Sequence, residues 1–149
     1  MPDVFDVAEW FLHKKSFNHK QLQKLCYYAQ AWHLALLNKP LFDAEIEAWV
    51  HGPVIPLLYY RYADYGWEKI ARLSGESPRF NDDTTEVLKA VYRTYANFDG
   101  SQLEALTHSE KPWYEARGNL KPYEICNKPI PLEAMRNYYA EKYKQAQGE

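Results

Sequence analysis

The stretch that most constrains the fold runs from Asn18 to Leu37 of the 149-residue chain. At 3.6 residues per turn, Leu22, Leu25, Cys26, Ala29, Trp32, His33 and Leu36 fall within roughly a third of a helix circumference. The opposite side opens polar, with Lys20, Gln23 and Lys24, and then turns apolar at Tyr27, Ala31 and Leu34. A helix that is polar outside only at its start belongs at the centre of a domain, covered by other elements. Asn18 and Gln21 have the spacing of a capping pair at its start. Asn38-Lys39-Pro40 ends it.

The remaining pattern supplies what covers this helix. Val4, Val7, Ala8 and Phe11 predict a short helix over 3–14, broken at Ser16-Phe17-Asn18. The β-branched and aromatic content of 46–51 (IEAWVH) predicts a strand, ended by Gly52-Pro53. Pro53 and Pro56 then read as the first turn of a helix that stops at Gly66. Residues 69–73 are expected to form a second strand pairing with the first, and 124–128 a third. Asp83 to Glu86 has capping-box spacing and opens a helix to about Asn97, with Val87, Leu88, Val91, Tyr92 and Tyr95 inward. Ser101 and Glu104 are expected to cap a short helix. Lys111-Pro112-Trp113-Tyr114 suggests another turn of helix. Pro131 begins the last helix, with Leu132, Met135, Tyr139 and Tyr143 as its buried row. The expected fold is mainly α (α+β): one compact helical domain over residues 1–149, around a buried central helix, with a small antiparallel β-hairpin or sheet.

Charge excludes some functions. Lys and Arg total 18 against 20 Asp and Glu, for a net charge of -2, without the basic footprint of a nucleic-acid binder. No apolar run approaches a membrane span and no secretory signal opens the chain, so a cytoplasmic protein is expected. Cys26 and Cys126 cannot build a disulfide framework. The histidines at 13, 19, 33, 51 and 108 lack metal-ligand spacing, so neither metal nor cofactor is expected. No nucleophile, phosphate-loop or dinucleotide motif is present. Asp43, Glu45 and Glu47 alternate as the solvated face of a loop and strand rather than as a catalytic carboxylate pair.

Aromatic content stands out, with Trp 5, Tyr 13 and Phe 6. Such side chains pack cores, and Tyr and Trp are also enriched at protein interfaces. Trp32, Tyr92, Tyr95, Tyr139 and Tyr143 lie on apolar stripes and are assigned to the core. Tyr27, Tyr28, Trp49 and the cluster Tyr59, Tyr60, Tyr62, Tyr65 and Trp67 remain as an excess. Tyr59, Tyr60 and Tyr62 cannot share one helix face, since adjacent positions lie about 100° apart. His51-Gly52-Pro53 has two readings: a turn that merely needs glycine, or one that presents an imidazole and helix N-terminal amides to an anion. The candidate partner-binding set is therefore Tyr27, Tyr28, Trp49, His51, Gly52, Pro53, Tyr59, Tyr60 and Tyr62.

Three separated motifs carry a family resemblance. Leu22 to His33 (LQKLCYYAQAWH) resembles the helix signature of the Panacea domain. Residues 40–56 (PLFDAEIEAWVHGPVIP), followed by Leu58-Tyr59, are similar to its second block. Leu106 to Trp113 (LTHSEKPW) is similar to its third. The resemblance covers about residues 4–143 and points to the SocA-like and GepA-like, phage-associated branch. It implies an antitoxin of a type II-like toxin–antitoxin pair that binds a cognate protein toxin directly. The alternatives are an adaptor that delivers the toxin to a cytoplasmic protease, or, less favoured, a small enzyme using the His51 region. Some members carry a fused DNA-binding module. This chain has no room for one, so operator binding is not expected.

Overall fold

A computed structural model describes residues 1–148. The helices are α1 (Val4–Lys14), α2 (His19–Leu37), α3 (Pro56–Tyr62), α4 (Asp82–Tyr95), α5 (Gly100–His108), α6 (Lys111–Arg117) and α7 (Leu132–Ala146). A 3-10 turn, Ala63–Tyr65, extends α3. The strands are β1 (Phe17–Asn18), β2 (Glu47–Trp49), β3 (Gly52–Val54) and β4 (Lys69–Ile70). As expected, the fold is mainly helical and α2 is its axis: α1, α3, α4, α5, α7 and β3 all pack against it. Its start is fixed by a reciprocal capping box. The Gln21 N–H donates to Asn18 Oδ1 at 2.8 Å and the Asn18 N–H to Gln21 Oε1 at 2.9 Å, removing two orphan amides. Asn38 closes it at a φ of 58°, in the left-handed region that Asn tolerates.

The strands depart most from expectation. Gly52-Pro53 does not open a helix. It forms β3, which pairs antiparallel with β2 in the register Glu47↔Val54, Ala48↔Pro53 and Trp49↔Gly52. Helix α3 begins at Pro56 instead. Proline is tolerated in β3 because Ala48↔Pro53 is the pair that exchanges no ladder bonds. The Ala48 N–H donates outward to the Lys128 carbonyl at 2.9 Å. Residues 124–128 form no strand. Only Pro129 bridges Glu47, beside the bond from the Ile130 N–H to the Ile46 carbonyl. β4 pairs with β1 rather than with the 46–51 strand, because Phe17–Asn18, read as a plain break, is extended.

Two caps also shift. Asn81 caps α4, its Oδ1 accepting from the Thr84 N–H at 2.8 Å. Asp99 caps α5 in a box with Gln102. Each cap is an Asn or Asp just ahead of the site expected, with the same chemistry. On α7, Met135 and Tyr139 are buried while Leu132 and Tyr143 are exposed. Tyr95 is buried, and Trp32 and Tyr92 are partly covered.

Candidate functional site

The β2–β3 hairpin is the structural centre of the candidate site, and all three sequence motifs converge on it. Its turn, Val50-His51, uses no positive φ, whereas Gly52 takes φ +108°. A side chain there would be strained, and it would also collide. A Cβ on Gly52 would lie 2.8 Å from Lys24 Cε and 2.9 Å from Thr107 Oγ1. Glycine is needed at this turn because β3 lies directly on α2 and α5.

That close approach explains why the start of α2 is buried, contrary to expectation. Gln23 and Lys24, assigned to a solvated side, are 3% and 1% exposed. They replace a neighbouring strand along the free edge of β3 and the residue after it. Gln23 Oε1 accepts from the Ile55 N–H at 2.8 Å, and its Nε2 donates to the Ile55 carbonyl at 3.2 Å. Lys24 Nζ donates to the Pro53 carbonyl at 3.2 Å. Gln23 Nε2 also donates to His19 Nε2 at 3.1 Å, which leaves His19 neutral. Burial, followed by the nearby Lys24, holds the His19 pKa down to about 4. Burial also lowers the pKa of Lys24 to about 7; Lys20 adds to the shift and Glu104 opposes it.

Helix α6 holds the hairpin from behind. Trp113 Nε1 donates to the Trp49 carbonyl at 2.7 Å, and Arg117 Nη1 to the Ala48 carbonyl at 2.9 Å. The other Arg117 amine donates to the carbonyls of Lys121 (2.9 Å) and Glu124 (2.6 Å), tying down the following loop. His108 stacks on Trp113, with ring centroids 3.8 Å apart.

Sequence reasoning also placed Tyr27 and Tyr28 among partner-binding residues, and the structure corrects this. Both are buried. Tyr28 donates to Glu110 Oε1 at 2.8 Å and Tyr139 donates to the same oxygen at 2.7 Å. Tyr27 contacts the Tyr139 hydroxyl at 3.1 Å, and Lys142 Nζ reaches Glu110 Oε2 at 2.9 Å. These groups form a satisfied buried network and offer nothing to a partner. Tyr62 is also buried, as are Gly52 and Pro53. With α3 starting at Pro56, the reading of His51 beside helix N-terminal amides fails. His51 projects from the hairpin turn, with Nδ1 at 3.2 Å from Glu104 Oε1. Lys20 pairs with the same carboxylate. Burial would raise the Glu104 pKa, but the hydrogen bonds from Lys20 and His51 outweigh it and hold the carboxyl low.

Trp49, His51, Tyr59 and Tyr60 remain as surface candidates. Trp49, His51 and Tyr59 line a groove of about 630 Å³ between the hairpin, the start of α2, the end of α3 and the 125–127 segment. Its walls include Val54, Trp67 and Ile125. Trp49 and Tyr59 pack at a 5.0 Å centroid distance, and Tyr59 meets Tyr60 at 6.0 Å. Trp67, Tyr60 and Ile125 are 81%, 77% and 91% exposed. Ile125 was missed because the 124–128 segment carries no surface signal in sequence; only the fold brings it to the same groove as Trp67.

Comparison with known proteins adds the family. Residues 22–114 match the family described as "Antitoxin SocA-like, Panacea domain". Antitoxin SocA of Caulobacter vibrioides (strain NA1000 / CB15N) is 35% identical over 104 residues, covering 62% of this chain and 55% of that protein. The chain therefore spans about half the length of the curated relative it matches. No solved structure matches. The matched span contains α2, the hairpin and the Thr107 to Trp113 segment that braces it, and on this ground the chain belongs to the SocA-like Panacea-domain family.

Proposed function

We propose that the protein is an antitoxin that neutralises a cognate protein toxin by forming a stoichiometric complex, using the groove face beside the β2–β3 hairpin. The observation that carries this reading is that Trp67 and Ile125 stand exposed on a groove also walled by Trp49, Tyr59 and Val54, with exposed Tyr60 next to Tyr59. Large apolar side chains left in water around one concavity mark interaction surfaces. Trp and Tyr are the residue types that most often dominate binding energy. The relative's name, Antitoxin SocA, supplies the class of partner.

The hairpin is well suited to this work. Its backbone is fixed by Gln23, Lys24, Trp113 and Arg117, so little conformational entropy is lost when a partner docks. His51 has Glu104 as its hydrogen-bonding neighbour, an arrangement that orients a surface imidazole without supplying a nucleophile. This supports a binding role over catalysis.

The test is a growth-rescue assay with the product of the adjacent reading frame. Expression of that frame alone should arrest growth, and co-expression of this chain should restore it with the toxin present at an unchanged level in a purified complex. Rescue accompanied by disappearance of the toxin, restored by protease inactivation, would replace occlusion with delivery to a protease. Failure of the chain to rescue any neighbouring toxic product would sink the antitoxin reading.

A further inference from the structure

We infer that the groove is built for an acidic segment of its protein partner, with a side-chain carboxylate seated over Lys24 and flanking apolar side chains against Trp67, Tyr59 and Ile125. The inference rests on the toxin-binding reading of the groove and specifies the chemistry of what enters it. Its first support is charge. The lining contains two lysines, Lys20 and Lys24, and no aspartate or glutamate, in a chain whose net charge is -2. Lys20 is paired with Glu104 beside the groove, and Lys24 is the lining cation without an ion pair among the described residues. A concave site lined by one sign of charge with apolar walls concentrates field and selects the opposite charge.

The second support is the state of Lys24. Its side chain is 1% exposed, and an ammonium has three donors. Among the described residues its one acceptor is the Pro53 carbonyl, and it forms no ion pair. The acid that acts on it, Glu104, is already engaged by Lys20 and His51. A buried cation with unused donors is the group whose interaction with an entering carboxylate is strongest, because little water competes. Burial already pulls the amine toward neutrality, and a carboxylate would restore its charge. The aromatic and aliphatic walls account for the rest of the occupant: a segment of carboxylates alone would leave Trp49, Tyr59, Trp67 and Ile125 without partners.

The experiment uses the full chain, isotope-labelled, and two end-blocked synthetic pentapeptides. One alternates acidic residues with Phe and Leu; the other replaces each acid by lysine. The expected result is saturable shifts of the Gly52 amide and the Trp67 indole with the acidic peptide, and none with the basic one. Lys24→Met, close in size and apolar, should weaken the acidic peptide at least tenfold while leaving the rest of the spectrum folded. Equal binding of both peptides, shifts confined to another face, or unchanged affinity in Lys24→Met would overturn the inference. So would concentration-dependent shifts of the groove without peptide, which would make a second copy the occupant, or displacement of the acidic peptide by a short oligonucleotide.

The toxin complex separates the two levels of the argument. If Trp67→Ala releases the toxin and Lys24→Met and Lys20→Glu do not, the groove stands as the interface and the acidic occupant is overturned. If Lys24→Met and Lys20→Glu weaken the complex together with Trp67→Ala, the acidic occupant is supported. If neither Trp67→Ala nor Tyr60→Ala affects the toxin, the interface reading fails by itself, and the peptide result still decides what the groove accepts.

Discussion

Lys24 shows how a single residue links the fold to the surface it presents. Its ammonium is held in the interior by one carbonyl, so the charged form costs stability, and the pKa falls from 10.5 to about 7. The sign follows from proton counting. Above pH 7 the unfolded chain keeps a proton on Lys24 that the folded chain has lost, so stability from this group rises with pH from about 7 toward 10.5. The Lys24→Met variant lacks this term. Wild type should therefore gain about 1–2 kcal/mol relative to Lys24→Met between about pH 7 and pH 8.5, read by urea unfolding. His19 acts with the same sign in a lower pH window. Its folded pKa of about 4 lies below the ordinary imidazole value of 6.5, so the unfolded state takes up the proton first as pH falls. Stability should decline from about pH 6.5 downward by about 2–3 kcal/mol at pH 4, and an NMR titration should find the imidazole neutral at pH 6. A residue protonating near 6.5 would contradict the Gln23–His19 arrangement.

At the scale of elements, the hairpin depends on a glycine and on side chains distant in sequence. Gly52→Ala combines a positive φ of +108° with a Cβ 2.8 Å from Lys24 and 2.9 Å from Thr107. Part of the clash can relax through the lysine stem, while the backbone strain cannot, so a loss of about 2–3 kcal/mol is expected in denaturant unfolding. Trp113→Phe keeps the ring but removes the donor to the Trp49 carbonyl, and should cost about 1–2 kcal/mol. These elements also show what sequence can reveal. The Asn18–Gln21 box and the breadth of the apolar surface on α2 were legible because their partners are a turn away. The hairpin was misread because Pro53 satisfies a helix start and a non-bonded strand position equally well on local grounds. Gln23 and Lys24 looked solvated because the Ile55 and Pro53 backbone groups that bury them lie 32 and 29 residues away. Tyr27 and Tyr28 looked surplus for the same reason: their partner Glu110 comes from the loop between α5 and α6, and Tyr139 from α7.

For the whole molecule, the proposed binding role falls on one face. The tyrosine excess divides into a buried network around Glu110 and a surface group beside the groove, and the surface group is what a partner can reach. Trp67 and Tyr60 are the most informative positions because each is mostly in water and neither is needed by the core. Their replacement by alanine separates binding from folding. The decisive measurement is the dissociation constant of the complex with the neighbouring toxin for wild type and for Trp67→Ala combined with Tyr60→Ala, with the thermal midpoint of each chain alone. A loss of about 2 kcal/mol or more, roughly thirtyfold in affinity, with an unchanged midpoint is the predicted result. An unchanged dissociation constant would contradict the assignment of this face to the toxin.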